Sequence, residues 1–301
     1  MFKRFNKHKH TTAGFAKGAS RKLEAVALAT ALTLTLTSPG VRAEASAKNG
    51  KGTFAYLDVG QGNTELVKIG NRATLIDTGR KWEYDELQAQ LKTCGVSTIN
   101  TLVLSHPDAD HIENADRIIA DYKVKTVVMP KIEAKTQCYK KAIAAIKQHK
   151  VKKVNPKIGS KITLGEKCTG KVLSVDANPK DVNESSIVLR VTYGKRAFLY
   201  TGDATAKVEN NILTAKKPIA SDVYLASHHG ANTANGALFV KKALSAKYKI
   251  AVVSVGKNNY GHPTKEVMGR LEKYSKNLFR TDENGMIVFR TDGSGLAKVA
   301  K

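Results

Sequence analysis

The sequence predicts an α/β fold in one large domain, and three observations carry that expectation. From Thr53 nearly to the end, short strand-like runs alternate with helix-like ones, the pattern of a layered α/β domain. Hydrophobic residues make up 42 % of the chain and charged residues 25 %, which is globular composition and excludes a disordered chain. No 20–50-residue repeat, low-complexity tract or linker divides the 301 residues, so one domain spanning 53–301 is the economical reading.

Residues 1–43 read as an export signal. Lys3, Arg4, Lys7, Lys9, Lys17, Arg21 and Lys22 form a basic leader, followed by the uncharged run AVALATALTLTLT at 25–37. Ser38-Pro39-Gly40 then breaks the helix, and Val41-Arg42-Ala43 places small residues for cleavage after Ala43. A membrane span needs about 20 apolar residues, and this run has 13 with four threonines. The expectation is a secreted protein with no stable span, and residues 44–52 form a flexible lead-in.

The first half then offers strands at 53–58, 65–69, 73–77, 101–105 and 126–129. Helices are expected at 85–93, 114–122 and 137–150, the last with Cys138, Ala142, Ala145 and Ile146 on one stripe. Strands at 161–164 and 171–175 precede a hairpin, 187–192 with 196–200, turned at Tyr193-Gly194-Lys195. The second half alternates a helix at 204–213, a strand at 223–227, a helix at 237–244, a strand at 250–255 and a helix at 265–274. A terminal strand pair, 278–280 and 286–290, is expected to turn through Asp282-Glu283-Asn284-Gly285.

The net charge is +24, and only part of it sits in the leader, so the mature surface attracts polyanions such as nucleic acid or wall polymers. Lysine-rich solubility is the competing reading, and no protein partner can be inferred. Three cysteines allow a Cys138–Cys168 disulfide with Cys94 free, or three isolated thiols. No Cys-x-x-Cys spacing suggests a thiolate metal site.

The sharpest feature is His106-Pro107-Asp108-Ala109-Asp110-His111, between an apolar strand and a helix. Two carboxylates and two imidazoles cannot be buried there unpaired. Their crowding points to divalent metal, with His106 and Asp108 facing one cation and Asp110 and His111 a second.

This motif resembles the metal signature of the metallo-β-lactamase superfamily, with Asp108 where many members have His. Further segments resemble one branch, the hydrolase domain of the competence channel protein ComEC and its secreted stand-alone relatives. They are Leu57-Asp58-Val59-Gly60-Gln61-Gly62, Leu75-Ile76-Asp77-Thr78-Gly79, Tyr200-Thr201-Gly202-Asp203, Ser227-His228-His229-Gly230 and Ser254 to Pro263. They run in family order over about residues 53–291.

The resemblance implies an αββα four-layer metallo-β-lactamase-type sandwich and two divalent ions, zinc or manganese, with magnesium also compatible. Asp203 would bridge the two ions, and His229 would join Asp110 and His111. Strand alternation through 223–229 would point the His228 and His229 rings opposite ways, leaving His228 facing substrate. Asp77 would orient a ligand imidazole, and Asp58 would line the same cleft. His262 would donate to a phosphate oxygen or protonate a leaving group, with a structural loop histidine as the alternative. The further histidine many members carry is missing, since His149 lies on a lysine-rich helix end. Asn183-Glu184-Ser185-Ser186 stands in its place, so the first ion would have an oxygen-rich shell of His106, Asp108 and Asp203. Asn63 replaces a common Asp, and Glu113-Asn114 replaces two glycines and would narrow the cleft floor.

The implied activity is hydrolysis of a phosphodiester in DNA or a related polyanion by a hydroxide shared between the cations. Hydrolysis of another bond, such as a phosphocholine ester on wall polymers or a lactone, is the second possibility. A non-catalytic polyanion-binding module of the same fold is the third. A β-lactamase proper is disfavoured, because the His-x-His pair is absent.

Overall fold

The computed structural model describes residues 50–299. The expected export signal, its Ala43 boundary and residues 44–49 of the lead-in lie outside the described residues. The first half lays down β1 (Gly52–Tyr56), β2 (Glu65–Ile69), β3 (Arg72–Ile76), β4 (Thr101–Val103), β5 (Thr126–Val128) and β6 (Lys152–Val154). Between them lie α1 (Tyr84–Thr93), α2 (Ala109–Ile112), α3 (Ala115–Asp121) and α4 (Gln137–Gln148). The second half continues with β7 (Lys161–Gly165), β8 (Cys168–Ser174), β9 (Val188–Tyr193), β10 (Arg196–Tyr200), β11 (Val223–Leu225), β12 (Ile250–Val253) and β13 (Asn277–Arg280). Its helices are α5 (Ala206–Thr214), α6 (Ala237–Ala243), α7 (Lys265–Tyr274) and the single turn α8 (Thr281–Asn284), after which β14 (Ile287–Thr291) and β15 (Ala297–Val299) close the chain.

Two mixed sheets result. One has the order β15-β14-β1-β2-β3-β4-β5-β6 and the other β13-β12-β11-β10-β9-β8-β7. In each, antiparallel pairing gives way to a parallel run, β3 to β6 in the first and β10 to β13 in the second. Strand alternation builds the layers. Phe54 and Tyr56 of β1 face the other sheet, where Phe54 stacks on Phe198 with ring centroids 3.7 Å apart. Ala55 and Leu57 face the helices of the first half instead. A third core, including Leu199, Tyr224 and Phe239, joins the second sheet to its helices. Three cores between four layers make an αββα sandwich. Each large apolar side chain buried there contributes roughly 1.5–3 kcal/mol, so the scaffold holds its loops in place.

The expected terminal hairpin does not form. β13 runs parallel to β12 in the second sheet, whereas β14 pairs antiparallel with β1 in the first. The Asp-Glu-Asn-Gly turn is the helical turn α8, with Gly285 at φ 60°, and it carries the chain from one sheet to the other. The Cys138–Cys168 disulfide does not form either, and all three thiols are free. Cys138 packs between helices and the first sheet, and Cys168 lies between the sheets, so a sheet layer separates them. Among the described residues no helix is long and apolar enough to cross a membrane.

Candidate metal centre

Parallel strands leave their C-terminal loops on one edge of the sandwich, where ligands of open α/β sheets bind. Five such loops converge. The loop after β3 supplies Asp77, buried and at φ 58°. Its carboxylate accepts hydrogen bonds from the Ser105 backbone N–H at 2.7 Å and the Ser105 hydroxyl at 2.6 Å, and lies 2.8 Å from His111 Nδ1. After β4 the six-residue motif begins with buried His106, and Asp108 directly precedes α2, so Asp110 and His111 ride on that short helix.

After β10, Gly202 sits at φ 50°, where a Cβ would stand 3.0 Å from Ser105 Oγ. That turn delivers Asp203, whose backbone N–H donates to Ser186 Oγ at 3.1 Å. The loop after β11 is a tight turn, Ser227–Gly230, in which His228 and His229 both take left-handed backbone angles. After β12, the Ser254 carbonyl lies 2.9 Å from His229 Nδ1, and Ser254 Oγ donates to the Gly62 carbonyl at 2.9 Å. A Cβ at Gly62 would fall 2.4 Å from the Asp110 carbonyl oxygen, so the close approach of these loops requires glycine there.

The ring nitrogens fix the chemistry. A carbonyl only accepts, so His229 carries a proton on Nδ1 and turns Nε2 inward. That Nε2 is 3.2 Å from Asp110 Oδ2 and 3.7 Å from Asp203 Oδ2. His111 donates Nδ1–H to Asp77, and its Nε2 lies 3.1 Å from Asp203 Oδ1. His106 Nε2 is 3.9 Å from Asp203 Oδ2 and 3.7 Å from Asp108 Oδ2. The Nε2 atoms of His106, His111 and His229 and Asp203 Oδ1 are all buried without a hydrogen-bond partner. Buried imidazole nitrogens and carboxylate oxygens facing one another at this spacing call for positive charge between them, a proton or a metal ion. His106, His111 and Asp203 converge as one possible ligand group, and Asp110, His111 and His229 as another. Imidazole and carboxylate donors at this spacing suit zinc, manganese or iron. The residues therefore fit a divalent metal centre.

Electrostatics separate floor from mouth. Burial lowers the His111 pKa, but the Asp203 and Asp77 carboxylates overcome it and hold the ring well above the ordinary imidazole value. His229 is raised for the same reason, by Asp203 and Asp110 acting against burial. Burial pushes Asp203 and Asp110 upward, yet the facing imidazoles leave both below the carboxylate range. His228 and His262 go the other way, lowered first by burial and then by the neighbouring rings. His228 Nε2 lies 3.5 Å from Asp203 Oδ2, and its ring is 5.4 Å from that of His262. Both line a cavity of about 300 Å³ with Gln61, Arg80, Asp110 and Tyr260.

Several expectations change. Strand alternation does not separate His228 from His229: β11 ends at Leu225, and the left-handed turn brings both rings to Asp203. Asp58 does not line this cleft. Gln90 holds its backbone N–H and carbonyl at 2.9 and 2.7 Å, and it lines a separate cavity with Glu86 and Cys94. Asp108 stands at the rim with 38 % of its side chain exposed. Glu113 and Asn114 do not line the cavity: Asn114 donates to the Thr78 and Arg80 carbonyls, and Glu113 accepts from the Lys81 N–H. His149 is exposed at the end of α4, away from the centre.

Sequence reasoning missed the supporting shell. Ser105, Ser186 and Ser254 position site residues through hydrogen bonds that no motif announces. Glu209 on α5 is buried and accepts from the Asn235 and Gly236 N–H groups, both at 2.8 Å, and from Ser227 Oγ. Asn235 in turn bonds the Ser227 N–H and carbonyl, so this carboxylate clamps the turn carrying His228 and His229. Burial raises the Glu209 pKa to about 7.

Comparison with known proteins agrees with this geometry. The family model of the metallo-beta-lactamase superfamily matches residues 57–248. The chain is 30 % identical over 260 residues to ComE operon protein 3 of Bacillus subtilis, covering 80 % of this chain and 33 % of that protein. It is also 30 % identical over 266 residues to competence protein ComA of Neisseria gonorrhoeae, covering 85 % and 34 %. Recombination protein 2 of Haemophilus influenzae is 27 % identical over 237 residues, covering 77 % and 28 %. The chain thus spans about a third of the length of these curated relatives. Among solved structures, the metallo-beta-lactamase fold protein YhfI of Bacillus subtilis superposes with a TM-score of 0.52 at 12 % identity, covering 79 % of this chain and 99 % of that one. CmlA, a diiron beta-hydroxylase from Streptomyces venezuelae, gives 0.55 at 13 % identity, covering 80 % and 54 %. At such identities the likeness shows the fold alone.

Proposed function

The chain belongs to the metallo-β-lactamase superfamily, and on that premise we propose that it is a metal-dependent hydrolase cleaving phosphodiester bonds in DNA or a related polyanion. The observation that carries this reading is the convergence on Asp203 of three buried imidazole nitrogens without hydrogen-bond partners, at the floor of an open cleft. The relatives' names, competence protein and recombination protein, favour DNA among polyanions.

His111 Nε2 offers one lone pair and so serves one ion. Asp110, His111 and His229 with an Asp203 oxygen would form the tighter site. His106 and Asp108 with the other Asp203 oxygen would form the weaker one. Bound there, divalent cations supply Lewis-acid activation of water and neutralise charge on phosphate oxygens. Asp77 and the Ser254 carbonyl keep the proton on Nδ1 and leave Nε2 of His111 and His229 facing inward. His228 faces the substrate beside Asp203. The lowered pKa of His262 favours donation of an N–H to a phosphate oxygen from the neutral ring. Arg80 at the mouth attracts the incoming anion.

The test is cleavage of single- and double-stranded DNA with Mn²⁺, Zn²⁺ or Mg²⁺ against a chelated control. Metal-dependent product supports the reading. Failure with every ion, alongside turnover of a phosphocholine ester or lactone, would replace the substrate. Export with cleavage after Ala43 is part of the proposal, and N-terminal sequencing of protein recovered outside the cell checks it.

A further inference from the structure

Among the described residues four large hydrophobic side chains are strongly exposed, and the two aromatic ones stand beside the metal cleft. Tyr260, 65 % exposed, lines the cavity itself and lies 5.9 Å from the His262 ring. Trp82, 63 % exposed, lies two residues beyond Arg80, another cavity residue, whose guanidinium stands 5.4 Å from the indole centroid. Both aromatics sit on braced backbone. Asn258 donates to the Gly256 and His262 carbonyls and accepts from the Tyr260 and His262 N–H groups, which fixes the Tyr260 loop. The Arg80 carbonyl is held by the buried Asn114 amide.

An exposed tryptophan costs hydrophobic stabilisation that burial would supply. A rigid aromatic face beside the Arg80 guanidinium, at the edge of the metal cleft, is what an unpaired base needs for stacking while its phosphate meets the cation. A paired base inside a duplex offers no free face to two such rings. We propose that Trp82 and Tyr260 are base-stacking platforms, with Arg80 as the phosphate contact, and that the cleft takes single-stranded nucleic acid. Tyr260 would seat a base beside His262, and Trp82 would seat another on the Arg80 side. The phosphodiester between them is then presented over Asp203. The proposal rests on the hydrolase reading for what happens to that bond, but not for the contacts.

Trp82 is the only tryptophan in the chain, so its emission reports on its own face. The experiment titrates the chelated protein with an oligonucleotide of about eight nucleotides, within the site size of such grooves, and with a duplex of the same sequence. Saturable quenching by the single strand, and much weaker quenching by the duplex, is expected. In fluorescence anisotropy with a labelled single strand, Trp82→Leu and Tyr260→Leu should each weaken binding about ten-fold. Trp82→Phe and Tyr260→Phe should retain most of it. Equal quenching by duplex, or wild-type affinity in both leucine variants, would overturn the proposal even if the protein cleaves DNA. Quenching and aromatic-dependent binding without cleavage under any ion would sustain it while removing the hydrolase.

Discussion

The floor and the mouth of the cleft use the same side chain to opposite ends. On the floor, His111 and His229 are buried with Nδ1 held by Asp77 and Ser254, and carboxylates face Nε2, so the rings are raised toward the charged state. At the mouth, His228 and His262 are partly exposed and lowered by burial and by the rings behind them. A floor that favours positive charge suits a cation. A mouth of neutral rings suits hydrogen bonding to an anionic substrate without competing for the metal. Position in the fold, rather than residue type, assigns the roles.

The largest expected break in that contrast is Asp203→Ala, which removes the carboxylate that His106, His111, His228 and His229 all approach. Metal-dependent turnover should vanish, and measuring cleavage together with bound metal would show both lost. His262→Ala should leave metal binding intact and lower turnover by about 10²–10³-fold, the usual cost of losing one oriented donor. Above the imidazole range its pH profile should keep the wild-type shape, because the ring is already neutral there. Asp77→Ala should weaken metal affinity about 10–100-fold by freeing the His111 ring, measured by competition with a chelating dye.

The smallest effect concerns Glu209. Its folded pKa of about 7 exceeds the ordinary 4.5, so its contribution to stability is full below about 4.5 and is lost as pH rises through 7. Relative to Glu209→Gln, wild-type Tm should therefore decline by several degrees across that window in thermal scans. A parallel course in both proteins would count against the clamp's titration.

How much of this was legible in the sequence follows from how local each feature is. His106 to His111 stands out because its donors fall within six residues behind an apolar strand. Asp203 and the histidine pair are ordinary turns until the resemblance orders them. The His228–His229 geometry escaped alternation because two left-handed residues replace the strand end. The terminal hairpin looked convincing because a turn sequence cannot reveal that its flanks join different sheets. β6 went unseen because Lys152 and Lys153 mask a short, exposed edge strand. Asp58 was misplaced because Gln90, 32 residues away, decides where its backbone goes. The serines and Glu209 act only through tertiary hydrogen bonds.

Calorimetric titration of the metal-free protein with Mn²⁺ or Zn²⁺, in buffers of different ionisation enthalpy, tests the centre most directly. The raised pKa values of His111 and His229 mean that metal must displace protons there, so affinity should rise with pH and binding should release protons. Two unequal affinities are expected, the tighter at Asp110, His111 and His229 and the weaker at His106 and Asp108. No binding, or binding at two equal sites without proton release, would contradict the account.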